Sequence, residues 1–431
     1  MNANTQAAPV LPIAERTRRR ITRRLIPFLF FLYIVAYLDR VNLSYAGLEM
    51  TKELGFSNEV FGFGSGIFFI GYVLLEIPGT MLVELWSARK WISRIMITWG
   101  FFAAFTGLVH SRQEFYWARF MLGVAEAGFF PGVIVYISHW FRAADRGKAL
   151  AMFTAAIPVS QILGSPISAA LMKIHWMGYS GWRWLLILEG IPAVILGVVT
   201  IFYLTDRPAD AKWLPQDERD WLTGELDRER QLVSGNQKHS IWQAFAHRDV
   251  ILLTVVYFFG TNISYGLQFW LPKMMQKMTG FSPLTVTLLA MIPFLAAWPF
   301  TLLVGWSSDR MKERRWHVAV ALFIGGTGLA LSVMTSNVVL GILAFTIAAM
   351  GINARMPPFW SMPGTILSGA AAAAVVGSIN CVGNIGGFVG PYIVGYLSDR
   401  THSYTGGMLY LVGSAFLGGL VVLLVKPRKV A

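Results

Sequence analysis

Apolar runs of about twenty residues recur along this chain, and they constrain its fold more than any other feature. Each run is long enough to cross a hydrocarbon core of about 30 Å as an α-helix. The sequence of 431 residues is 55% hydrophobic and only 14% charged, whereas soluble domains are about 25% charged. An outer-membrane barrel would instead show alternating segments of about ten residues. The pattern therefore predicts an all-α polytopic membrane protein.

Twelve runs are predicted to form membrane helices, in two bundles of six. We number them spans 1 to 12, with predicted bounds 25–48, 59–83, 91–110, 113–139, 147–173, 183–204, 248–272, 284–306, 316–336, 338–360, 371–397 and 406–425. A charge-rich segment over 206–249 contains no span, and its mixed charges predict a short amphipathic or solvated helix. The expected organisation is an N-terminus, a bundle, a linker, a bundle and a C-terminus over 1–24, 25–204, 205–247, 248–425 and 426–431.

The basic residues are divided unevenly between the two sides that alternating loops would face. Most of the 36 Lys and Arg fall at the termini and on the loops of one side, as expected for the cytoplasmic side of a membrane. Both termini are therefore expected in the cytoplasm, and the net charge of +13 requires no nucleic-acid partner. Residues 1–24 lack the apolar core and cleavage site of a removed signal peptide. Cys381 is the single cysteine, so no disulfide framework or cysteine-rich metal site is expected.

Two adjacent charges, Asp39 and Arg40, interrupt the first apolar run. An ionised group there costs about 2.5–3.5 kcal/mol by insertion scales, and such charges usually mark function. Asp39 lies ~14 residues into span 1, or ~21 Å along a helix, past the midplane but below the headgroups. Neighbouring side chains project about 100° apart, so one is expected to face a partner and the other a cavity. The alternative is a position at the membrane edge or a purely structural pair.

A second pair of charges, Arg119 and Glu126, lies in span 4. Their spacing is nearly two helical turns, so both side chains project from one face about 10 Å apart. Gly123 and Gly128 beside them allow another helix to approach closely. Together with span 1, these residues offer two acids and two arginines, a balanced set in which each charge can find a partner. The alternative is a structural ladder of salt bridges.

Two loops carry related motifs at corresponding places in the two halves. TMLVELWSARK follows span 2, and GWSSDRMKERR follows span 8. Matching loops in a six-plus-six arrangement indicate a transporter built from repeats, with its site at mid-depth between the halves. The arrangement resembles the major facilitator superfamily, whose loop signature is G-x-x-x-D-R-x-G-R-R. The second loop matches it at Gly305, Asp309, Arg310 and Arg314.

The loops also depart from that signature. Lys312 replaces the middle glycine of the second loop, and Thr80, Glu84 and Ser87 replace Gly, Asp and Gly in the first. In the superfamily the loop acid pairs with the N-terminal end of the next helix and with arginines, and so latches one conformation. The resemblance therefore implies a conformational latch made of Glu84, Arg89, Asp309, Arg310 and Arg314.

A closer resemblance covers nearly the whole chain. AYLDRVNLSYA, FFIGYVLLEIPG, RFMLGVAEAGFFPG and SGWRWLLILEGIPA, in spans 1, 2, 4 and 6, resemble the anion:cation symporter family, particularly bacterial permeases for tartrate and for galactonate, hydroxyphenylacetate, phthalate and similar organic acids. The resemblance implies a monomer in the bacterial inner membrane. In family members the acids of helices 1 and 4 carry protons and the arginine of helix 1 contacts substrate; here these are Asp39, Glu126 and Arg40.

These residues suggest a mechanism. A guanidinium can hold a carboxylate through two parallel hydrogen bonds. The hypothesis is that Arg40 or Arg119 grips a substrate carboxylate and thereby releases an acid that the arginine had neutralised. In a low-dielectric site the released acid takes up a proton, so Asp39 and Glu126 would carry protons together with the substrate.

Uncharged polar residues on other spans complete the candidate site. Amides and hydroxyls suit a hydroxylated acid, and a tryptophan after the Pro357–Pro358 break can cap an apolar or ring part. Each alone can instead join two helices. The candidates are Tyr37, Tyr72, Gln161, Asn262, Gln268, Trp360, Asn380 and Asn384. Three further charges are expected in interhelical or interface pairs: Glu76, Glu189 and Arg355.

The sequence therefore predicts a secondary transporter that imports a small organic anion across the bilayer with protons. No G-x-x-x-x-G-K-[ST] string occurs, so ATP is not the expected energy source; no cofactor or metal is expected, and sodium coupling stays open. One alternative is a drug:proton antiporter, which would keep an acid without two cavity arginines. Another is an organic-acid sensor that does not transport, although latch loops serve a transport cycle. A membrane enzyme lacks support, because no metal-ligand cluster or activated nucleophile is found.

Overall fold

The computed structural model describes residues 12–234, 247–363 and 369–426. Apart from an isolated bridge between Trp176 and Tyr179 and a 3-10 turn at Pro208–Asp210, the regular structure of these ranges is α-helical. The helices are α1 (Ile13–Glu53), α2 (Asn58–Leu85), α3 (Ala88–Thr106), α4 (Arg112–Glu126), α5 (Phe129–Trp140), α6 (Ala143–Thr154), α7 (Ala156–Leu171), α8 (Gly181–Tyr203), α9 (Gln216–Ser234), α10 (Arg248–Thr279), α11 (Pro283–Leu289), α12 (Met291–Met311), α13 (Arg315–Met334), α14 (Val338–Ala354), α15 (Met356–Trp360), α16 (Gly369–Gly383), α17 (Ile385–Thr401) and α18 (Thr405–Leu423).

These helices cover the twelve predicted spans, so the predicted all-α membrane fold is confirmed. Within the described residues, ten stretches are both long and apolar enough to cross a membrane. The other two predicted spans, 91–110 and 371–397, correspond to α3 and to the pair α16 and α17. Helix α1 begins well before span 1, because the arginine-rich segment ahead of it continues the same helix.

Several spans are each built from two helices. In the described part of the chain, spans 4, 5, 8, 10 and 11 are divided at residues 127–128, 155, 290, 355 and 384. The break in span 4 has a clear cause, because Gly128 has a φ of 82°, which glycine adopts without steric cost. This break directly follows Glu126, so helix α4 ends at a candidate proton-coupling acid. Discontinuous helices in transporters expose backbone groups that line a substrate site.

The two ends of the helical bundle are distinguished by the chain termini. Tyr203 Oη donates to the Arg24 carbonyl over 3.0 Å, which places the end of span 6 beside the start of span 1. Arg315 Nη1 donates to the Val425 carbonyl over 2.9 Å, which places the start of span 9 beside the end of span 12. We call this end of the molecule the terminal face. The opposite end, which carries the connections between spans 1 and 2 and between spans 11 and 12, is the far face.

The two halves of the chain meet along a seam of closely packed helices. Helix α2 lies against α17, α1 lies against α10, and α7 lies against α11 and α12. Glycines permit this approach, because a Cβ atom on Gly62 would lie 2.4 Å from the Pro391 carbonyl oxygen, and one on Gly395 would lie 2.4 Å from that of Asn58. Any larger side chain at either position would push the halves apart.

Side chains also join the halves near the far face. The Asp399 carboxylate accepts hydrogen bonds from the backbone N–H groups of Asn58, over 3.1 Å, and Glu59, over 2.7 Å. A carboxylate at the end of span 11 therefore occupies the N-terminus of α2 in the other half, where the helix dipole favours negative charge. On a second pair of helices, Ser165 of α7 donates to the Thr287 carbonyl of α11. The far face is thus joined across the seam at two separate places.

The predicted helix of the linker is confirmed as α9, which lies on the terminal face. Glu218 of α9 is buried and forms ion pairs with Arg16 and Arg20 of α1, each with an N–O distance of 3.0 Å. Glu229, further along α9, pairs with Arg146 at 3.1 Å. The linker helix is therefore bound to the first half of the chain. Residues 235–246 of the same polar segment lie outside the described residues.

Candidate functional site

Arg40 and Glu126 form an ion pair between spans 1 and 4. Arg40 Nε donates to Glu126 Oε1 over 2.7 Å, and Nη2 contacts the same oxygen. The Glu126 side chain is 2% exposed and that of Arg40 is 13% exposed, so the arginine is the member of the pair that a ligand can reach. Arg40 Nη1 also lies 3.5 Å from the Tyr265 hydroxyl of span 7, in the other half of the chain. The pair therefore lies where the two halves meet.

Aromatic rings surround the Arg40 guanidinium. Its central carbon lies 5.9 Å from the ring centre of Tyr37, 5.8 Å from that of Phe68 and 5.4 Å from that of Tyr72. The predicted candidates Tyr37 and Tyr72 are thus placed beside the predicted arginine, while Phe68 was not among the predicted residues. Ring faces attract a cation, so these residues hold the guanidinium in place without neutralising it.

Asp39 makes different contacts from its neighbour Arg40. Trp99 Nε1 donates to Asp39 Oδ2 over 2.7 Å, and Asn42 Nδ2 donates to Oδ1 over 3.2 Å. Asp39 is 3% exposed, so its carboxylate faces protein partners while Arg40 faces the seam. This is the division of roles that helical geometry predicts for adjacent residues. The partner Trp99 lies in span 3, which sequence reasoning had not connected with the site.

Arg119 is a buried cation that forms no ion pair with the described residues. It is 2% exposed, and no carboxylate oxygen of the described residues lies within 4.0 Å of it. Its Nε has no hydrogen-bond partner within the described part of the chain, and its guanidinium carbon lies 5.2 Å from the Phe68 ring centre. The predicted balanced set therefore forms only in part, because Glu126 pairs with Arg40 and Asp39 is held by neutral donors.

Residues of the second half form a polar cluster around Tyr257. The Tyr257 hydroxyl donates to Asn380 Oδ1 over 3.1 Å, and the Trp360 ring meets the Tyr257 ring edge-on at 4.9 Å. Asn380 Nδ2 donates to Glu76 Oε1 of span 2, so this cluster also crosses the seam. The interhelical pairing that we expected of Glu76 is present. Asn380 and Trp360, both predicted candidates, are brought together by a tyrosine that was not predicted.

The remaining candidates lie apart from the arginines. Asn262 is fully buried and donates to the Tyr410 hydroxyl over 2.7 Å and to Ser414 Oγ over 3.3 Å, which fits its alternative role of joining helices. Asn384 lies at the break of span 11 and is 8% exposed. Gln161 of the first half and Gln268 of the second half line one small cavity at the seam.

The first predicted latch loop is joined differently from the superfamily pattern. Glu84 Oε2 lies 2.7 Å from His139 Nε2, and Glu84 Oε1 accepts from Arg207 over 3.4 Å. The N-terminus of α3 is instead occupied by Asp206, which accepts from the Ser87 hydroxyl and from the Arg89 backbone N–H, each over 2.8 Å. The Arg89 side chain lies 4.0 Å from the same carboxylate. The acid at this helix end therefore comes from the end of span 6.

The second latch loop keeps the expected ion pair. Arg314 Nη1 lies 2.6 Å from Asp309 Oδ1, and it donates to the Ser308 hydroxyl over 2.9 Å. The Arg310 guanidinium lies over the Trp306 ring at 5.4 Å. The two loops thus differ in which acid is used, although both hold a carboxylate against the loop arginines.

Replacing Asp206 with alanine is expected to destabilise the first loop. The N-cap residue of α3 is Ser87, and Asp206 adds hydrogen bonds to the same helix end. Loss of a side-chain hydrogen bond at a helix N-terminus costs about 0.5–2 kcal/mol, so the midpoint of thermal unfolding should fall by a few degrees. The measurement is thermal unfolding of the purified protein in detergent, with Asp210→Ala as the matched control, because Asp210 is exposed. Equal unfolding midpoints for the two variants would contradict the capping role.

The comparison with protein families identifies the fold. The family model described as Major Facilitator Superfamily matches residues 29–391. The chain belongs to this superfamily. It is therefore a multi-pass membrane transporter, and its two helical bundles are those of the major facilitator fold. The resemblance found in the loop motifs is confirmed.

Individual relatives are similar over almost their whole length. A provisionally named tartrate transporter of Agrobacterium vitis is 45% identical over 416 residues, which cover 96% of this chain and 95% of the relative. A quinolone resistance transporter of Acinetobacter baumannii is 35% identical and covers 95% of each chain. Among solved structures, a bacterial homologue of the human lysosomal transporter Spinster superposes with a TM-score of 0.77 at 17% identity, over 98% of this chain and 100% of the other.

Proposed function

We propose that this transporter imports a small organic anion together with protons. The observation that carries the proposal is a pair of guanidinium groups in the first half of the chain. Arg40 is neutralised by Glu126 yet reachable, and Arg119 is buried with an Nε donor that has no partner among the described residues. Both guanidinium groups lie near the Phe68 ring. Buried cations with free donors are costly unless an anion joins them, so this arrangement favours an anionic substrate.

The Arg40–Glu126 pair supplies the coupling between substrate and proton. A substrate carboxylate that binds Arg40 competes with Glu126 for the same N–H donors. Once released, the Glu126 carboxylate is left buried without its counter-charge, and protonation removes that cost. Asp39 is a second proton carrier in this proposal, because its carboxylate is buried among neutral donors. The substrate and the proton then cross the membrane in the same conformational change.

Polar and aromatic groups around the arginines set the substrate class. Tyr37 and Tyr72 flank Arg40, and the cluster of Tyr257, Asn380 and Trp360 approaches from the second half. Hydroxyl and amide groups suit a hydroxylated acid such as tartrate, which the name of the Agrobacterium vitis relative mentions. Because the two groups of residues come from different halves, substrate binding would draw the halves together.

The transport cycle in this proposal is alternating access by a monomer whose termini lie in the cytoplasm. The terminal face is then cytoplasmic, and the far face is on the periplasmic side of a bacterial inner membrane. The bonds from Asp399 to α2 and from Ser165 to α11 would have to break for the far face to open. The loops after spans 2 and 8 lie on the terminal face and would hold the conformation in which that face is closed and the far face is open.

A second candidate function is drug export in exchange for protons. It is favoured by the similarity to a quinolone resistance transporter and by the rings around the site, since a quinolone carries both an aromatic ring system and a carboxylate. The two arginines fit such an acid as well. The direction of proton movement separates the two functions.

The test uses purified protein in liposomes that contain a pH-sensitive dye. Sugar acids, dicarboxylates, aromatic acids and a quinolone are added outside at matched pH, with the membrane potential clamped. Acidification of the lumen by one acid supports import with protons, and alkalinisation supports exchange. Uptake of a labelled acid that follows sodium and leaves the lumen pH unchanged would contradict proton coupling. If no compound changed the lumen pH and none was taken up, the proposed substrate class would be contradicted.

A further inference from the structure

A second cluster of cations lies in a cleft on the far face. The cleft has a volume of about 510 Å³, and its lining includes Lys52, Lys273, Lys277, Asn58 and Tyr404. These residues lie in α1, α2 and α10 and directly before α18, so the cleft opens at the seam between the halves. We call it the lysine vestibule. It is separate from the arginine site, because Arg40 lies three helical turns, or about 18 Å, before Lys52 on the same helix.

Lys273 is the unusual member of the cluster. It is only 8% exposed, and no carboxylate of the described residues lies within 4.0 Å of its ammonium group. The ammonium lies 4.1 Å from the ring centre of Phe61 and 5.2 Å from that of Trp270. The aromatic faces attract the charge but accept few of its three N–H donors. A nearly buried ammonium that lines a cleft therefore keeps donors for a ligand.

Two of the acids near the vestibule, Asp399 and Glu53, are held by other groups of the protein. Asp399 accepts the backbone N–H groups at the start of α2. Glu53, beside Lys52, accepts from Arg183 Nε over 3.1 Å. Glu49 lies nearly one turn before Lys52 and is partly buried. Lys277 Nζ donates to the His402 carbonyl over 3.4 Å, which leaves its positive charge uncompensated. The charged side chains that line the cleft itself are all lysines.

A small cavity, lined by apolar residues with four polar ones among them, lies between the vestibule and the arginine site. It has room for about one water molecule, with a volume of about 10 Å³, and Ser44, Tyr45, Gln161 and Gln268 contribute to its lining. Gln268 is 6% exposed, and its Nε2 has no hydrogen-bond partner in the described part of the chain. Ser44 is one helical turn beyond Arg40. The four polar residues of this cavity thus lie between the vestibule and Arg40.

We propose that the lysine vestibule binds small organic carboxylates before they reach the arginine site. Lys273 holds the carboxylate, and Lys52 and Lys277 attract it from solution. Opening of the far face would separate the glutamines and connect the two sites. The direction of this movement, from vestibule to Arg40, rests on the proposed function. The binding itself does not, because it requires only the cleft and its lysines.

The test is chemical modification of the lysines in the purified full-length protein. A small water-soluble acylating reagent is applied with and without millimolar tartrate, and the extent of reaction at each lysine is read by mass spectrometry. Tartrate should slow the reaction of Lys273 roughly fivefold, as expected when a ligand exceeds its Kd several times. Threitol, the matched neutral tetrol, should have no effect. Lys212, an exposed residue of the linker, is the control lysine.

The same experiment on Arg40→Gln separates the two sites. Protection of Lys273 should persist in this variant, and Arg40→Lys can replace it where Arg40→Gln does not purify. Loss of protection in both variants would overturn the vestibule, because the effect would then come from the arginine site. Equal protection by threitol, no protection at all, or failure of Lys273 to react would overturn it as well. Protection of Lys273 by tartrate in a protein that shows no proton-coupled uptake would support the vestibule and contradict the proposed function.

Discussion

Replacing Arg40 with glutamine is expected to lower organic-anion uptake by two to three orders of magnitude. Truncating one partner of a buried, hydrogen-bonded charge pair in a complex costs about 2–5 kcal/mol of binding free energy. Each 1.4 kcal/mol is about tenfold, so a loss of about 3–4 kcal/mol corresponds to this fall. The substitution removes the N–H donors that hold a substrate carboxylate, and it leaves Glu126 buried without its partner. Arg40→Lys should also lose most activity, since an ammonium cannot form the two parallel hydrogen bonds of a guanidinium. The measurement is the initial rate of labelled uptake into proteoliposomes.

The double variant Arg40→Gln with Glu126→Gln is the matched control. It removes both charges, so no uncompensated charge remains and its thermal stability should exceed that of Arg40→Gln alone. Its uptake should stay as low, because the stability is restored without the substrate contact. Uptake near the wild-type rate in Arg40→Gln would sink the assignment of Arg40 and would make Arg119 the substrate-binding arginine.

Replacing Asp39 with asparagine is expected to reduce accumulation driven by a pH gradient strongly while exchange of substrate across the membrane continues. Asparagine has nearly the same shape as aspartate and still offers an oxygen to Trp99 Nε1, but it cannot bind a proton. Coupling energies between two ligands are typically 1–3 kcal/mol, so accumulation should fall roughly 5- to 150-fold. The measurements are accumulation under an imposed pH gradient and counterflow without one.

Asp249→Asn is the matched control for Asp39→Asn. Asp249 is also a buried acid, at 1% exposed, and it accepts from the Lys426 backbone N–H over 3.4 Å. It lies at the start of α10 on the terminal face, away from the Arg40–Glu126 pair, so pH-driven accumulation should be largely retained. If Asp39→Asn and Glu126→Gln both kept pH-driven accumulation, the proton-coupling roles of these two acids would be refuted.

The helices and the separation of charges could be read from local sequence. Spans are set by runs of apolar residues, and the different directions of Asp39 and Arg40 follow from helical geometry alone. The partner of Arg40 was also within reach, because few acids lie inside the membrane and Glu126 is one of them. Local sequence did not reveal that Arg119 would be left without a carboxylate. That outcome depends on whether Arg40 or Arg119 lies nearer to Glu126 in the folded protein.

Contacts between distant segments lay beyond sequence reasoning. Trp99 is 60 residues from Asp39, and Asp206 is 117 residues from Arg89, whose backbone it caps. Tyr257 joins Asn380 across 123 residues. Nothing in the local sequence around a tryptophan or a tyrosine indicates which distant residue will accept its hydrogen bond. A carboxylate after span 6 is likewise indistinguishable from the other acids of a charged linker.

The sequence by itself determined that this chain crosses a membrane many times and keeps charges inside it, because apolar length and the cost of buried charge act locally. Its motifs also placed it in its superfamily. Only the tertiary structure decided which charges meet: Arg40 with Glu126, Asp39 with Trp99, and three lysines around one cleft on the far face. Such pairings depend on how helices from the two halves pack against each other. That packing is a property of the whole chain and not of any one segment.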